Sequence, residues 1–238
     1  PWKLKGRSWI FPLTAVPSTS SFPAGWSAEY LAETLSSGGE FIGGLGLIQV
    51  VQYTESPVDD ELVYVPGRWK YSSGIKSFRI TQIYVSTKAS TMNGRKNWNI
   101  PKHVANFDIQ TSPDGTTSIS VIHPGSSAPF FKASVKATFP VLSSLAIPIT
   151  TTLLGPYYSL MQPPLPAGPS IEDVDTKRWA ALVPVMRGTA SLRKLVPGLE
   201  EGKVGDGKGF PALTPWTMAL FVDNLDMEFG LPTFYDTV

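Results

Sequence analysis

Cysteine is absent from the 238 residues, and only two histidines occur, His103 and His123. No disulfide, thiolate nucleophile, iron–sulfur site or cysteine zinc site can form. Two histidines leave little for metal or triad chemistry, and neither a metal nor a cofactor is expected. Charge of one sign is lacking too: 20 basic side chains face 19 acidic ones, a formal charge of +1. That balance excludes a protein living on nucleic-acid backbones. No Asn-x-Ser/Thr sequon occurs, which together with the missing cysteines points to a cytoplasmic location. The chain starts at Pro1 without an initiator methionine, which leaves room for a trimmed leader.

Long uninterrupted apolar helices are also missing. Residues 138–171 carry no charge, but Pro140, Pro148, Pro156, Pro163, Pro164, Pro166 and Pro169 fall within them. Prolines at that spacing would break a spanning helix repeatedly, so no membrane span is expected. A greasy loop and strand region near a pocket or subunit contact fits better. What the chain does have is 42% hydrophobic residues, enough for a sizeable core.

With 22 prolines and 21 glycines, helices have little room, and the pattern reads as short strands. Residues 132–139 place an apolar set on one face and Lys132 and Lys136 on the other. Leu225, Met227 and Phe229 alternate with Asp226 and Glu228. Residues 47–53 and 61–65 flank a turn at 56–60, and 78–85 is a further strand ending before a loop that carries Asn93-Gly94. A turn at 112–115 separates strands at 107–109 and 118–122. Helical candidates are 26–35, with Ser27 as N-cap, and 170–182, which could instead pass into a strand. The expectation is a mainly β, β-rich α+β protein, one domain over 1–238, built as an antiparallel barrel or sandwich.

Two glycine-rich segments resemble nucleotide motifs and fail. Gly202 and Gly207-Lys208 have phosphate-loop spacing, but Gly209 stands where Ser or Thr should hold magnesium. Residues 198–209 therefore read as a flexible surface loop. Gly43-Gly44-Leu45-Gly46 has no following helix and reads as close backbone approach among strands. His123, before Pro124-Gly125, reads as a turn residue.

The informative segment is 94–105. Arg95, Lys96 and Lys102 would make a solvated basic loop, yet Lys102 sits between Ile100-Pro101 and Val104-Ala105. A lysine drawn into apolar surroundings loses solvation of its ammonium form, and the neutral amine can attack a carbonyl to form a Schiff base. Gly94-Arg95, five residues, then Pro101-Lys102 resembles the reactive-lysine segment of the acetoacetate decarboxylase superfamily. Tyr53-Thr54-Glu55-Ser56 is similar to the family's segment bearing a catalytic glutamate, and Pro1-Trp2-Lys3-Leu4-Lys5-Gly6-Arg7 to its N-terminal arginine segment. The three occur in the family's order over roughly the first 110 residues.

The resemblance implies a closed, cone-like barrel with a few short helices, an interior lysine and a homo-oligomer. It implies that Lys102 is the Schiff-base lysine, that Glu55 shuttles protons, and that Arg7 pairs with a substrate carboxylate. Trp98, Ile100 and Tyr84 are candidate walls excluding water. His103 stands where the family has a second lysine, and it is grouped with the substrate-binding set. Glu40 has spacing similar to a second family acid and is left unassigned. The implied activity is a lyase acting on a small or medium carbonyl compound, like a keto acid decarboxylase. The alternatives are a lysine-dependent aldolase, hydratase or dehydratase of specialised metabolism, and a non-catalytic binder of an apolar small molecule.

Overall fold

Residues 61–65 are buried at every position of a strand, so this strand is covered on both faces. The two coverings differ in character, and that difference places the site. The computed structural model describes residues 2–55, 60–137 and 144–238. In chain order its strands are β1 (Trp2–Pro12), β2 (Glu40–Gly43), β3 (Leu47–Glu55), β4 (Asp60–Val65), β5 (Arg68–Lys70), β6 (Lys76–Phe78) and β7 (Gln82–Val85). There follow β8 (Lys102–Val104), β9 (Asn106–Thr111), β10 (Thr117–Ile122), β11 (Pro129–Ala137), β12 (Ile147–Thr150) and β13 (Leu160–Gln162). The series ends with β14 (Trp179–Leu182), β15 (Val185–Pro197), β16 (Met218–Phe229) and β17 (Thr233–Tyr235). The α-helices are α1 (Ala32–Ser36) and α2 (Lys88–Trp98).

The molecule is mostly β. Eleven strands form one curled sheet in the order β8-β7-β4-β3-β1-β16-β15-β11-β10-β9, with β12 joined to β15. Six short strands, β17-β14-β13-β6-β5-β2, form a second sheet. The large sheet is antiparallel except for the β7–β8 pair, which is parallel. Its first and last strands in pairing order, β8 and β9, are consecutive in the chain and separated by Ala105 alone. The expected closed barrel is thus a half-barrel ladder whose ends are joined through the chain.

The strands expected at 47–53, 61–65, 107–109, 118–122, 132–139 and 225–229 all fall on observed strands, although 138 and 139 lie outside the described residues. The turn expected at 56–60 is outside them up to residue 59. The single strand expected at 78–85 is two, β6 and β7, in different sheets. Arg79 lies at the break, donating to Tyr71 Oη and to the carbonyls of Thr34 and Ser37.

The Asn93-Gly94 loop is replaced by α2, because tertiary bonds override weak propensity. In the 26–35 region a short 3-10 turn (Glu29–Leu31) precedes α1, and Ala28 rather than Ser27 stands at the N-cap. Residues 179–182 form β14 and no helix covers 170–178. The loop at 198–209 is anchored, since Val204 is fully buried and Gly205 bridges to Phe131. Gly43 has φ +77, and a Cβ there would lie 2.1 Å from the Val16 carbonyl oxygen, so the close approach read from the glycines is real. Residues 138–143 lie outside the described residues. Residues 147–162 form β12, a 3-10 segment and β13, and no helix among the described residues is long and apolar enough to cross a membrane.

Alternation along β3, β4 and β7 assigns the two coverings. Ile48, Val50, Leu62, Tyr64 and Tyr84 point into the main aromatic core with Trp9, Phe11, Trp26, Trp69 and Phe131. Leu47, Gln49, Val63, Val65 and Ile83 point the other way.

The end of α2 aims the chain into β8. Asn99 caps the helix in the left-handed region, φ 53 and ψ 26. Its Nδ2 donates to the carbonyls of Pro163 at 3.0 Å and Arg178 at 2.6 Å. Replacing Asn99 with Ala strands these buried acceptors and puts a Cβ residue without a local partner in that conformation. Asn99→Ala should cost about 2–4 kcal/mol in urea unfolding. A loss below 0.5 kcal/mol, on the order of a surface substitution, would contradict the anchoring role.

Candidate active site

Register builds one face of the site. Gln49 pairs with Val63, Val63 with Ile83, and Ile83 with Lys102, so these four residues form a row across β3, β4, β7 and β8. All four line one cavity, and Glu61, two residues before Val63 on the same face, lines it too. Ile100, Leu160, Met186, Met227 and Phe229 supply apolar walls. The cavity offers about 50 Å³ of room for the centres of water-sized atoms.

Lys102 is 7% exposed and Glu61 4%. The Lys102 ammonium donates to Glu61 Oε1 and, at 3.1 Å, to Ser90 Oγ. Tyr53 Oη donates to the other carboxylate oxygen, Glu61 Oε2, at 2.8 Å. Burial, then the Glu61 charge and its hydrogen bond, push the Tyr53 phenol well above its ordinary range, so it stays a donor. Glu61 is therefore held between a cation and a neutral phenol, with each oxygen committed.

Helix α2 packs against the lysine side chain. Ser90 and Gly94, four residues apart, lie on one helical face against the lysine. A Cβ at Gly94 would sit 2.6 Å from Lys102 Cδ and 2.8 Å from Cε. The glycine lets the lysine stem pass the helix. Next to it, Arg95 is buried and donates to the carbonyls of Val174 and Pro166 and to Tyr30 Oη, so it ties α2 to residues 166–174. Burial, opposed by Arg95 and reinforced by Asp173, pushes the Tyr30 phenol up to about 12. Of the three basic residues read as a loop, Lys96 alone is exposed.

Of the residues named from sequence, the structure brings Lys102 and Ile100 to the cavity. Trp98 stands behind that wall, edge-on to Trp2 and near Phe229, with its indole N–H on the Gly230 carbonyl. Tyr84 and His103 are corrected: both lie on the opposite face, because neighbours along a strand alternate. Tyr84 Oη donates to the Gly209 carbonyl at 2.7 Å. His103 Nδ1 lies 3.7 Å from Asp173 Oδ1 and 3.5 Å from Tyr30 Oη.

Arg7 is not brought to the cavity either; its Nε donates to Gln52 Oε1 at 2.9 Å and its guanidinium lies over Trp9. Glu55 ends β3 opposite Lys5, and its side chain lies outside the described residues. Glu40, on β2, is exposed. Lys102 thus lies on the face opposite the aromatic core, in a cavity roofed by Tyr158, Leu160 and Pro184.

Glu61, Tyr53, Ser90 and Gln49 escaped the sequence reading as site residues. Glu61 carried a usable signal: a lone carboxylate opening an otherwise apolar strand run must find a partner if both faces are covered.

No protein-family model matches the chain, and no curated protein sequence matches it. Solved structures do. The acetoacetate decarboxylase of Legionella pneumophila superposes with a TM-score of 0.64 at 13% identity, over 99% of this chain and 87% of that one. The enduracididine biosynthesis enzyme MppR, with HEPES bound, gives 0.57 at 14%, over 98% and 87%. An acetoacetate decarboxylase-like enzyme from Sphingomonas wittichii gives 0.57 at 11%, over 99% and 93%. The chain has the acetoacetate decarboxylase-like fold.

Two outcomes follow from the geometry. Lys102→Met and Glu61→Gln should each cost about 3–5 kcal/mol, because each leaves a buried partner unmatched. The double variant should recover at least half of the larger loss in denaturant titration; simple additivity would contradict the pairing. Gly94→Ala should change stability little, since helix propensity improves by about 1 kcal/mol while the lysine must shift. It should nevertheless lower labelling of Lys102 by carbonyl reagents plus borohydride at least tenfold, read by peptide mapping.

Proposed function

We propose that this protein is a Schiff-base-forming lyase acting on a small carbonyl compound through Lys102, with Glu61 as its proton-shuttling partner. The observation that carries the reading is a buried amine whose charge is matched by one carboxylate at the wall of an apolar cavity. The solved structures sharing the fold, which include decarboxylases, support a lyase.

In this mechanism Glu61 takes a proton from Lys102, and the free amine attacks the carbonyl carbon. Glu61 then returns the proton to the carbinolamine hydroxyl, which leaves as water. The iminium is an electron sink for cleavage at the adjacent carbon. Tyr53 keeps Glu61 oriented throughout, and Ser90 steadies the nitrogen. The chemistry needs no cofactor, and one domain over 1–238 suffices for it. The apolar residues exposed around the roof, Ile147, Leu153 and Tyr157 among them, are the surface for a homo-oligomer.

The test is reduction with borohydride in the presence of a ketone and aldehyde panel, followed by intact mass. Wild type should gain one adduct, Lys102→Met none, and Glu61→Gln should form it about a hundredfold more slowly. Glu55→Gln, run beside it, should match wild type; slowing confined to Glu55→Gln would return the proton role to Glu55. A second reading, a non-catalytic carrier, is favoured by the apolar lining. Ligand binding that survives Lys102→Met, with no adduct in wild type, would replace the enzyme reading by it.

A further inference from the structure

The cavity contains one cation and one anion, and they neutralise each other. Among the described residues lining it, Lys102 is the only cation and Glu61 the only anion; Gln49 is the remaining polar side chain apart from the Tyr158 phenol. The Gln49 amide nitrogen already donates to Ser8 Oγ at 3.0 Å. The other buried cations of the described chain are committed elsewhere, Arg79 to Tyr71 and backbone carbonyls and Arg95 to Tyr30 and backbone carbonyls. Arg7 is held by Gln52 and Trp9 outside the cavity.

Imine formation preserves this neutrality. The ammonium and carboxylate plus a carbonyl compound give an iminium, the same carboxylate and one water: the C–N bond forms, the C–O bond breaks, and the oxygen leaves with two protons from nitrogen. Net charge is zero before and after, so Glu61 passes from counterion of the ammonium to counterion of the iminium. A substrate carboxylate would add a second negative charge beside Glu61, in an apolar enclosure, with no second cation among the described lining residues to receive it. Burying an unmatched charge opposes binding strongly.

We infer that the site selects neutral carbonyl compounds, short-chain aldehydes or ketones without a carboxylate. The inference rests on the Schiff-base reading and narrows it away from keto acids. The bond broken or made at the iminium's neighbouring carbon is then to hydrogen, oxygen or another carbon fragment, and carbon dioxide is not the leaving group.

The experiment compares 2-hexanone with 4-oxopentanoate, methyl ketones whose tails differ as ethyl against carboxylate. Wild-type protein is trapped with cyanoborohydride, the Lys102 adduct is located by peptide mapping, and each rate is divided by that of free butylamine under the same conditions. At least a tenfold normalised preference for 2-hexanone at Lys102 is expected. Equal rates, or a preference for 4-oxopentanoate, overturn the neutral-substrate inference while leaving the Schiff-base reading standing. No Lys102 adduct from either ketone, with butylamine reacting normally, overturns both.

Discussion

A buried ammonium and a buried carboxylate, each short of water, hold one another at the junction of β4, β8 and α2. Two such groups are expensive to bury, and their attraction does not by itself make the protein more stable than apolar replacements would. Under the proposed Schiff-base chemistry, the arrangement is explained by what the nitrogen can do. Tyr53, Ser90 and the Gly94 gap exist in this geometry because the pair must be oriented, supported and reached past a helix.

The two faces of β3, β4 and β7 divide the labour. One packs aromatic rings into a continuous core, and the other presents smaller aliphatic residues to a space left open. Period-two alternation lets a single strand serve both, which is why Lys102 and His103, neighbours in sequence, belong to unrelated environments. His103 joins Tyr30, Tyr84 and Asp173 in a polar cluster. There burial works against the Asp173 carboxylate, but contacts with His103 and the Ser170 backbone hold its pKa below the ordinary value.

Strands β3, β4, β9, β10, β11 and β16 were legible, because alternation and turn chemistry are local, whereas the long β1 and β15 were not named from the sequence. The position of Lys102 was legible from its apolar neighbours and from a resemblance. Helix α2 was not, since Ser, Thr, Asn and Gly dominate it and its stability comes from Arg95, Trp98 and Asn99 reaching segments 60 or more residues away. Glu61 was hidden for the same reason: its partner lies 41 residues away, and only the register of three strands brings them together.

Ala105 carries a consequence of its own. The two ladder ends that it links, Val104 and Asn106, are two Cα steps apart and cannot separate by more than about 7 Å. Sealing at this seam is covalent, so fraying of the outermost hydrogen bonds leaves β8 tethered on its far side. Lys102, mounted on so short a strand, keeps its height relative to the wall even when the sheet's margin breathes.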